Sequence, residues 1–169
     1  MSLSPYIARL RAHIGSDLLL LPGVTGVVRN DAGQVLLIRR SDNGRWSLPA
    51  GAVDPGEQPA DAVVREVYEE TGVHVAVQRL GGAATHRVVY PNGDVCEYLN
   101  VWFDCRAVGG EPRVNDGEAT DVRWYDPDDL PELHDWSMLR IDTTRDPQAP
   151  AWYAEPGERH PALVGPDGL

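Results

Sequence analysis

Cysteine is scarce in this chain, with Cys96 and Cys105 its only two, and no hydrophobic run approaches the length of a membrane span. Two thiols exclude a disulfide framework, and a sulfur-rich metal site would need more ligands of that kind. Free thiols in a reduced, cytoplasmic setting are therefore expected. The longest apolar stretch, Leu18 to Gly23, is far shorter than the roughly 20 residues that cross a bilayer and lacks a secretory cleavage pattern. No membrane partner is expected. Positive charge is also in deficit, since 15 basic residues face 26 acidic ones for a formal net charge of -11. A surface of that sign repels phosphate backbones, which argues against nucleic acid polymers as partners. A small anion stays admissible where a cation or local arginines offset the field.

What is present is a chain of 169 residues, 42% of them hydrophobic, about the size of one domain with a proper core. Residues 1–20 read as an N-terminal helix packed on that domain: Ser4 caps it, Pro5 opens it, and Ile7, Leu10 and Ile14 fall on one stripe. Strands are expected over Val24 to Arg29 and Gln34 to Arg39, joined by a turn at Asn30–Gly33. A short extended piece covers Arg45 to Gly51. A hairpin spans Arg87 to Val108, with Pro91–Asp94 as its turn. In its second arm Leu99, Val101, Phe103 and Cys105 face one way and Tyr98, Asn100 and Trp102 the other. Ala119 to Asp126 reads as a further strand and Ser137 to Thr144 as a short helix. Residues 21–145 form the body of the domain. Residues 146–169 carry five prolines and read as an irregular tail, pinned by Trp152 and Tyr153. Strands before and after one central helix indicate an α/β sandwich with a mixed sheet.

That central helix runs from Pro59 to a left-handed cap at Gly72. At about 100° per residue, Ala60, Val63, Val64, Val67 and Thr71 share one face, read as the core face. Glu66, Glu69 and Glu70 lie on an adjoining flank beside the small side chain of Ala62. Like charges at such spacing cost about 0.2–0.5 kcal/mol per pair. The plain explanation is a solvated acidic face. Against it stand Gly51, which lets backbone approach closely, Gly56, which permits a tight turn, and Glu57, a further carboxylate near the same flank. A hard divalent cation takes such oxygen ligands and keeps positions for water and phosphate oxygens.

Gly51, Glu57, Arg65, Glu66, Val67, Glu69, Glu70, Gly72 and Val73 fit, at every specified position, the pattern G-x(5)-E-x(7)-R-E-U-x-E-E-x-G-U, where U is aliphatic. This segment resembles the Nudix box. Together with the order of strands around it, the resemblance covers about residues 20 to 135 and implies a Nudix-type α/β/α sandwich. It further implies a hydrolase of a nucleoside diphosphate linked to another moiety, with magnesium or manganese as cofactor and a small nucleotide as partner; a homodimer is compatible with it. By position the resemblance makes Glu66 and Glu70 metal ligands, with Glu69 assisting and the carbonyl of Ala50 or Gly51 completing the shell. Glu57 and Arg65 hold loop and helix together. Glu118 matches the neighbourhood from which some relatives draw a further carboxylate as base or ligand, while its plain reading is a loop glutamate in water.

Outside the box, Arg39 and Arg40 end a strand that should run toward the cleft and are candidates to meet a phosphate, as is Arg87. Trp46, Tyr90, Tyr98 and Trp102 are candidates to stack on a base, although core packing explains most aromatics in strands. His86 has no visible partner and reads as structural; the cysteines read as small hydrophobes. Two alternatives accompany the diphosphate-derivative reading. One is a nucleoside triphosphate pyrophosphohydrolase, oxidised nucleotides included. The other is a nucleotide-sugar sensor that binds without cutting, from which the complete set of box carboxylates argues away.

Overall fold

The computed structural model describes residues 5–90, 92–158 and 160–163, so the expected cap Ser4 and the turn residue Pro91 lie outside the described residues. Helix α1 (Pro5–Ile14) precedes β1 (Leu19–Arg29), β2 (Val35–Arg40), β3 (Trp46–Ser47) and β4 (Ala50–Ala52). Helix α2 (Pro59–Thr71) leads into a long hairpin of β5 (His74–Val89) and β6 (Val95–Gly109). The strand β7 (Ala119–Tyr125), helix α3 (Asp135–Thr143) and a 3-10 turn (Pro161–Leu163) follow. No helix among the described residues is long and apolar enough to cross a membrane.

All seven strands join one mixed sheet with the path β3-β2-β1-β6-β5; β4 adds to β1 and β7 to β2. The β1–β6 pair is parallel, with Leu19 opposite Cys96 and Arg29 opposite Arg106. The other pairs are antiparallel. Each face of the sheet buries its own core, because inward residues alternate along strands covered on both sides. One core holds Val24, Val28, Leu36, Ile38 and Phe103 with Val63 and Val67 of α2. The other holds Val27, Leu37, Leu48 and Trp102 with Ile141 of α3. The α/β/α sandwich expected from the sequence is the observed architecture. Helix α1 seats Ile7 against Leu19, Leu21 and Cys96 in a third, smaller cluster.

Helix α2 is as expected in extent. Pro59 occupies its first turn, and Gly72 ends it at φ 70°, where its N–H donates to the Tyr68 carbonyl. Its rotation differs from the expectation. Ala60 is exposed and Val64 is 37% exposed, while Ala62, Val63, Val67, Glu70 and Thr71 are buried. Hydrophobic periodicity placed the inward face one step too far toward Ala60, because it counted Glu70 as a surface residue.

The starts of two strands also differ. β1 begins at Leu19, absorbing the apolar run, and β5 begins at His74 rather than in the Arg87 region. The early part of β5 carries register shifts at Val77/Arg79 and Leu80/Gly82, which break the alternation that marks a strand. In the tail Trp152 is the pin: its N–H donates to Gly81 O and its carbonyl accepts from Ala83 N, while its ring lies 5.8 Å from Trp102. Tyr153, the other expected anchor, is 64% exposed. Backbone pairing turns Trp152 inward and leaves its neighbour facing water.

Candidate active site

The end of β4 and the flank of α2 meet at Gly51. A Cβ built on Gly51 would lie 2.0 Å from the Glu66 carboxyl carbon, so only a glycine admits that carboxylate against the backbone. One residue earlier, Ala50 N–H donates to Glu70 Oε2 at 2.9 Å. Glu70 is 4% exposed. Burial pushes its carboxyl well above the ordinary range; the Ala50 bond opposes that rise, and the charges of Glu66, Asp116 and Glu118 add to it. Glu66 is raised in the same direction by burial, opposed by Arg65 and reinforced by Glu69 and Glu118.

Arg65 organises the loop. Its Nε and Nη2 donate to the two Glu57 oxygens, both at 2.8 Å, in the bidentate geometry that suits a guanidinium. Its Nη1 reaches Glu66 at 2.8 Å and Glu69 at 3.0 Å, and Nη2 also donates to the Ala52 carbonyl at 3.1 Å. The Glu57 carboxyl is correspondingly held below its ordinary range by Arg65. One arginine thus ties the loop after β4 to α2 and partly neutralises three carboxylates.

These groups open onto a cleft of about 1560 Å³. Its walls include Gly51, Glu66, Glu69, Asp116 and Glu118 on the acidic side, and Arg40, Trp46, Arg87, Tyr90 and Tyr98 elsewhere. The structure therefore brings Glu118 to the same cleft as the helix glutamates; its N–H donates to Asp116 Oδ1 at 2.8 Å. Arg40 lines the cleft in a salt bridge with Asp42. Arg39 does not reach it: its side chain is exposed and donates to Gly44 O at 3.0 Å. Neighbouring strand residues point to opposite faces, so only one of the pair can serve. Trp46 lines the cleft edge-on to Tyr125, with ring centres 5.1 Å apart. Trp102 is fully buried in the second core and is excluded as a stacking platform.

Among the described residues no three side chains of the His, Cys, Asp and Glu type are already gathered as a ligand set. Glu66 is drawn onto Arg65 instead. The donors present still fit a hard divalent cation. Burial and neighbouring carboxylates raise the cost of charge on half-buried Glu66 and buried Glu70, and both lie against the Ala50–Gly51 backbone, an oxygen-rich donor set.

The sequence matches the NUDIX domain family over residues 19–145, three quarters of the chain. The chain belongs to the Nudix family. A "MutT-like protein" of Streptomyces ambofaciens is 41% identical over 109 residues, which are 64% of this Nudix chain and 66% of that protein. A "Putative 8-oxo-dGTP diphosphatase" of Bacillus subtilis is 34% identical over 64% of this chain and 68% of its own length. The match thus spans about two thirds of these relatives. The crystal structure of an "ADP-ribose pyrophosphatase" from Streptococcus suis shares the fold with a TM-score of 0.60 at 26% identity, covering 78% of this chain and 96% of that one.

Two features of this Nudix site escaped sequence reasoning. Asp116, two residues before Glu118, lines the cleft and acts on Glu70, and only the fold of the 110–118 loop brings it there. His86 has partners after all, being buried between the rings of Tyr98 and Trp136 beside Arg140. Trp136 and Arg140 sit on a helix that the sequence placed only approximately.

Proposed function

We propose that this protein hydrolyses the pyrophosphate bond of a nucleoside diphosphate linked to another moiety, of the ADP-ribose or nucleoside diphosphate sugar class, giving two monophosphates. The observation that carries this reading is the half-buried Glu66 carboxylate seated against the Gly51 backbone at the cleft wall, with the buried Glu70 held by Ala50 N–H behind it. Glu66 and Glu70 would hold magnesium or manganese, with Glu69 assisting and the carbonyl of Ala50 or Gly51 contributing. Bound there, such a cation neutralises the diphosphate and makes water a better nucleophile at neutral pH. Arg65 and Glu57 keep the loop and helix at fixed separation. Glu118 receives the proton of the attacking water as its oxygen bonds to phosphorus and the bridging oxygen departs with the second monophosphate.

The supply of cations supports a diphosphate over a longer polyphosphate. Arg39 points away, and on the cleft wall Arg11, Arg40, Arg65 and Arg87 are each paired with a carboxylate, which leaves Arg45 to meet the further charge of a tri- or tetraphosphate in so acidic a protein. A nucleoside triphosphate reading is supported by the relative named an 8-oxo-dGTP diphosphatase. Turnover of ADP-ribose, a nucleoside diphosphate sugar, dGTP and 8-oxo-dGTP in oxygen-18 water separates the two by product mass. Two monophosphates are expected from the diphosphate derivatives, with turnover abolished by EDTA. Untouched diphosphate derivatives together with pyrophosphate release from a triphosphate would hand the assignment to the second reading.

A further inference from the structure

On the cleft floor lies a polar cluster that the hydrolytic site does not use. Arg140 is fully buried, and none of its partners among the described residues is a carboxylate. Its guanidinium lies 4.6 Å from the Trp136 ring centre and 5.3 Å from that of Trp102, so ring faces take the place of a counter-ion. Burial lowers its pKa to about 9, which leaves it charged at neutral pH.

A guanidinium only donates, and this fixes the roles of its neighbours. Arg140 Nη2 stands 3.5 Å from His86 Nδ1, so Nδ1 is the acceptor and the ring proton resides on Nε2. Burial, followed by the charge of Arg140, holds His86 down at about 3, consistent with a neutral ring. Arg140 Nε donates to Asn100 Oδ1 at 3.2 Å, and Thr25 Oγ1 donates to the same oxygen at 3.0 Å. The acceptors of both side chains are therefore consumed from behind. Among the described residues His86 Nε2–H and the Asn100 amide N–H groups have no protein acceptor, and both residues line the cleft. Tyr98 and Trp136 cover the His86 faces, with interplanar angles of 23° and 20°, so the ring offers only its edge.

We propose that His86 and Asn100 form a donor-only subsite, positioned by Arg140, that selects nucleobases presenting a carbonyl oxygen over those presenting an amino group at the same position. A carbonyl meets N–H donors backed by a cation, whereas an exocyclic amine brings donor against donor. Within the substrate class proposed above, on which this inference rests, nucleoside diphosphate sugars with a keto base are then preferred to ADP-ribose.

Calorimetric binding of monophosphates tests this without requiring turnover. The pairs IMP/AMP and UMP/CMP differ at the purine 6-position and the pyrimidine 4-position as the subsite requires. The parent protein should bind IMP and UMP about tenfold more tightly than AMP and CMP, the worth of one mismatched buried polar contact. Asn100→Asp replaces donors with acceptors, keeps a partner for Arg140 and should reverse the preference; His86→Phe should erase most of it. Equal affinities within each pair, a preference for the amino bases, or no binding at millimolar ligand would overturn the subsite, and the parent comparison alone decides this if a variant does not fold. Binding with the expected preference but no hydrolysis of any diphosphate derivative would leave the subsite standing and sink only the proposed reaction.

Discussion

At Glu70 the protein buries a carboxylate beside others of its kind, an arrangement that costs stability unless something positive arrives. Glu70→Gln keeps the shape and removes the charge. It is expected to lower turnover by at least a hundredfold while the fold persists, and to abolish the rise in melting temperature that millimolar magnesium or manganese gives the parent. A variant that melts and responds to metal like the parent would remove Glu70 from the ligand set. His86 makes a second prediction at this scale. Its folded pKa of about 3 lies below the ordinary value near 6.5, so between these limits the unfolded chain binds more protons than the folded one. The contribution of His86 is therefore complete above pH 6.5 and is lost as pH falls toward 3, with a limiting slope of about 1.4 kcal/mol per pH unit. Replacing it by Gln should flatten the acid limb of stability by up to that slope; an unchanged limb in chemical denaturation would refute the assignment.

Among the elements, α2 and the loop before it were the most legible. Pro59, the left-handed Gly72 and the box spacing each impose a physical requirement that few other arrangements satisfy. Gly51 illustrates the requirement. A methyl there would strike the movable end of Glu66, not fixed backbone, so Gly51→Ala should cut activity by tenfold or more and change stability by under about 1 kcal/mol. Loss of stability with normal turnover would reverse that assignment. Less legible was the rotation of α2, since a buried glutamate counts as surface in any hydrophobic pattern. The start of β5 was hidden by glycines and bulges: Gly81 and Gly82 are small because the Trp102 ring lies against them, and a partner in another strand leaves no trace in local periodicity. The donor cluster of Thr25, His86, Asn100 and Arg140 draws on four separate elements, which is why His86 looked solitary in the sequence.

For the molecule as a whole, segments outside the matched family region frame the cleft. Ile7 and Arg11 of α1 line it on one side, and Ala162 and Leu163 of the tail on another. Arg79 ties the tail down through the carbonyls of Thr143, Asp146 and Ala149, and Trp152 packs beside Trp102. Trp152→Ala should therefore cost about 2–3 kcal/mol, below the full cost of a central core tryptophan because the ring is only partly buried. A loss under 0.5 kcal/mol in urea titration would mean that the tail rests on the body without supporting it.

The parallel pairing of β1 with β6 carries a consequence for how the chain reaches this state. β1 leaves the ribosome early, yet the strand that satisfies its backbone along its whole length, from Leu19 opposite Cys96 to Arg29 opposite Arg106, is made only after α2 and β5. Until then one edge of a mostly apolar strand waits unpaired, its other edge meeting only β2 and β4, while the β5–β6 hairpin, whose arms are neighbours in sequence, closes quickly. Closing the β1–β6 pair therefore bridges a long intervening stretch of chain, which is expected to slow assembly of the sheet. During synthesis β1 is the segment most in need of protection from other nascent chains.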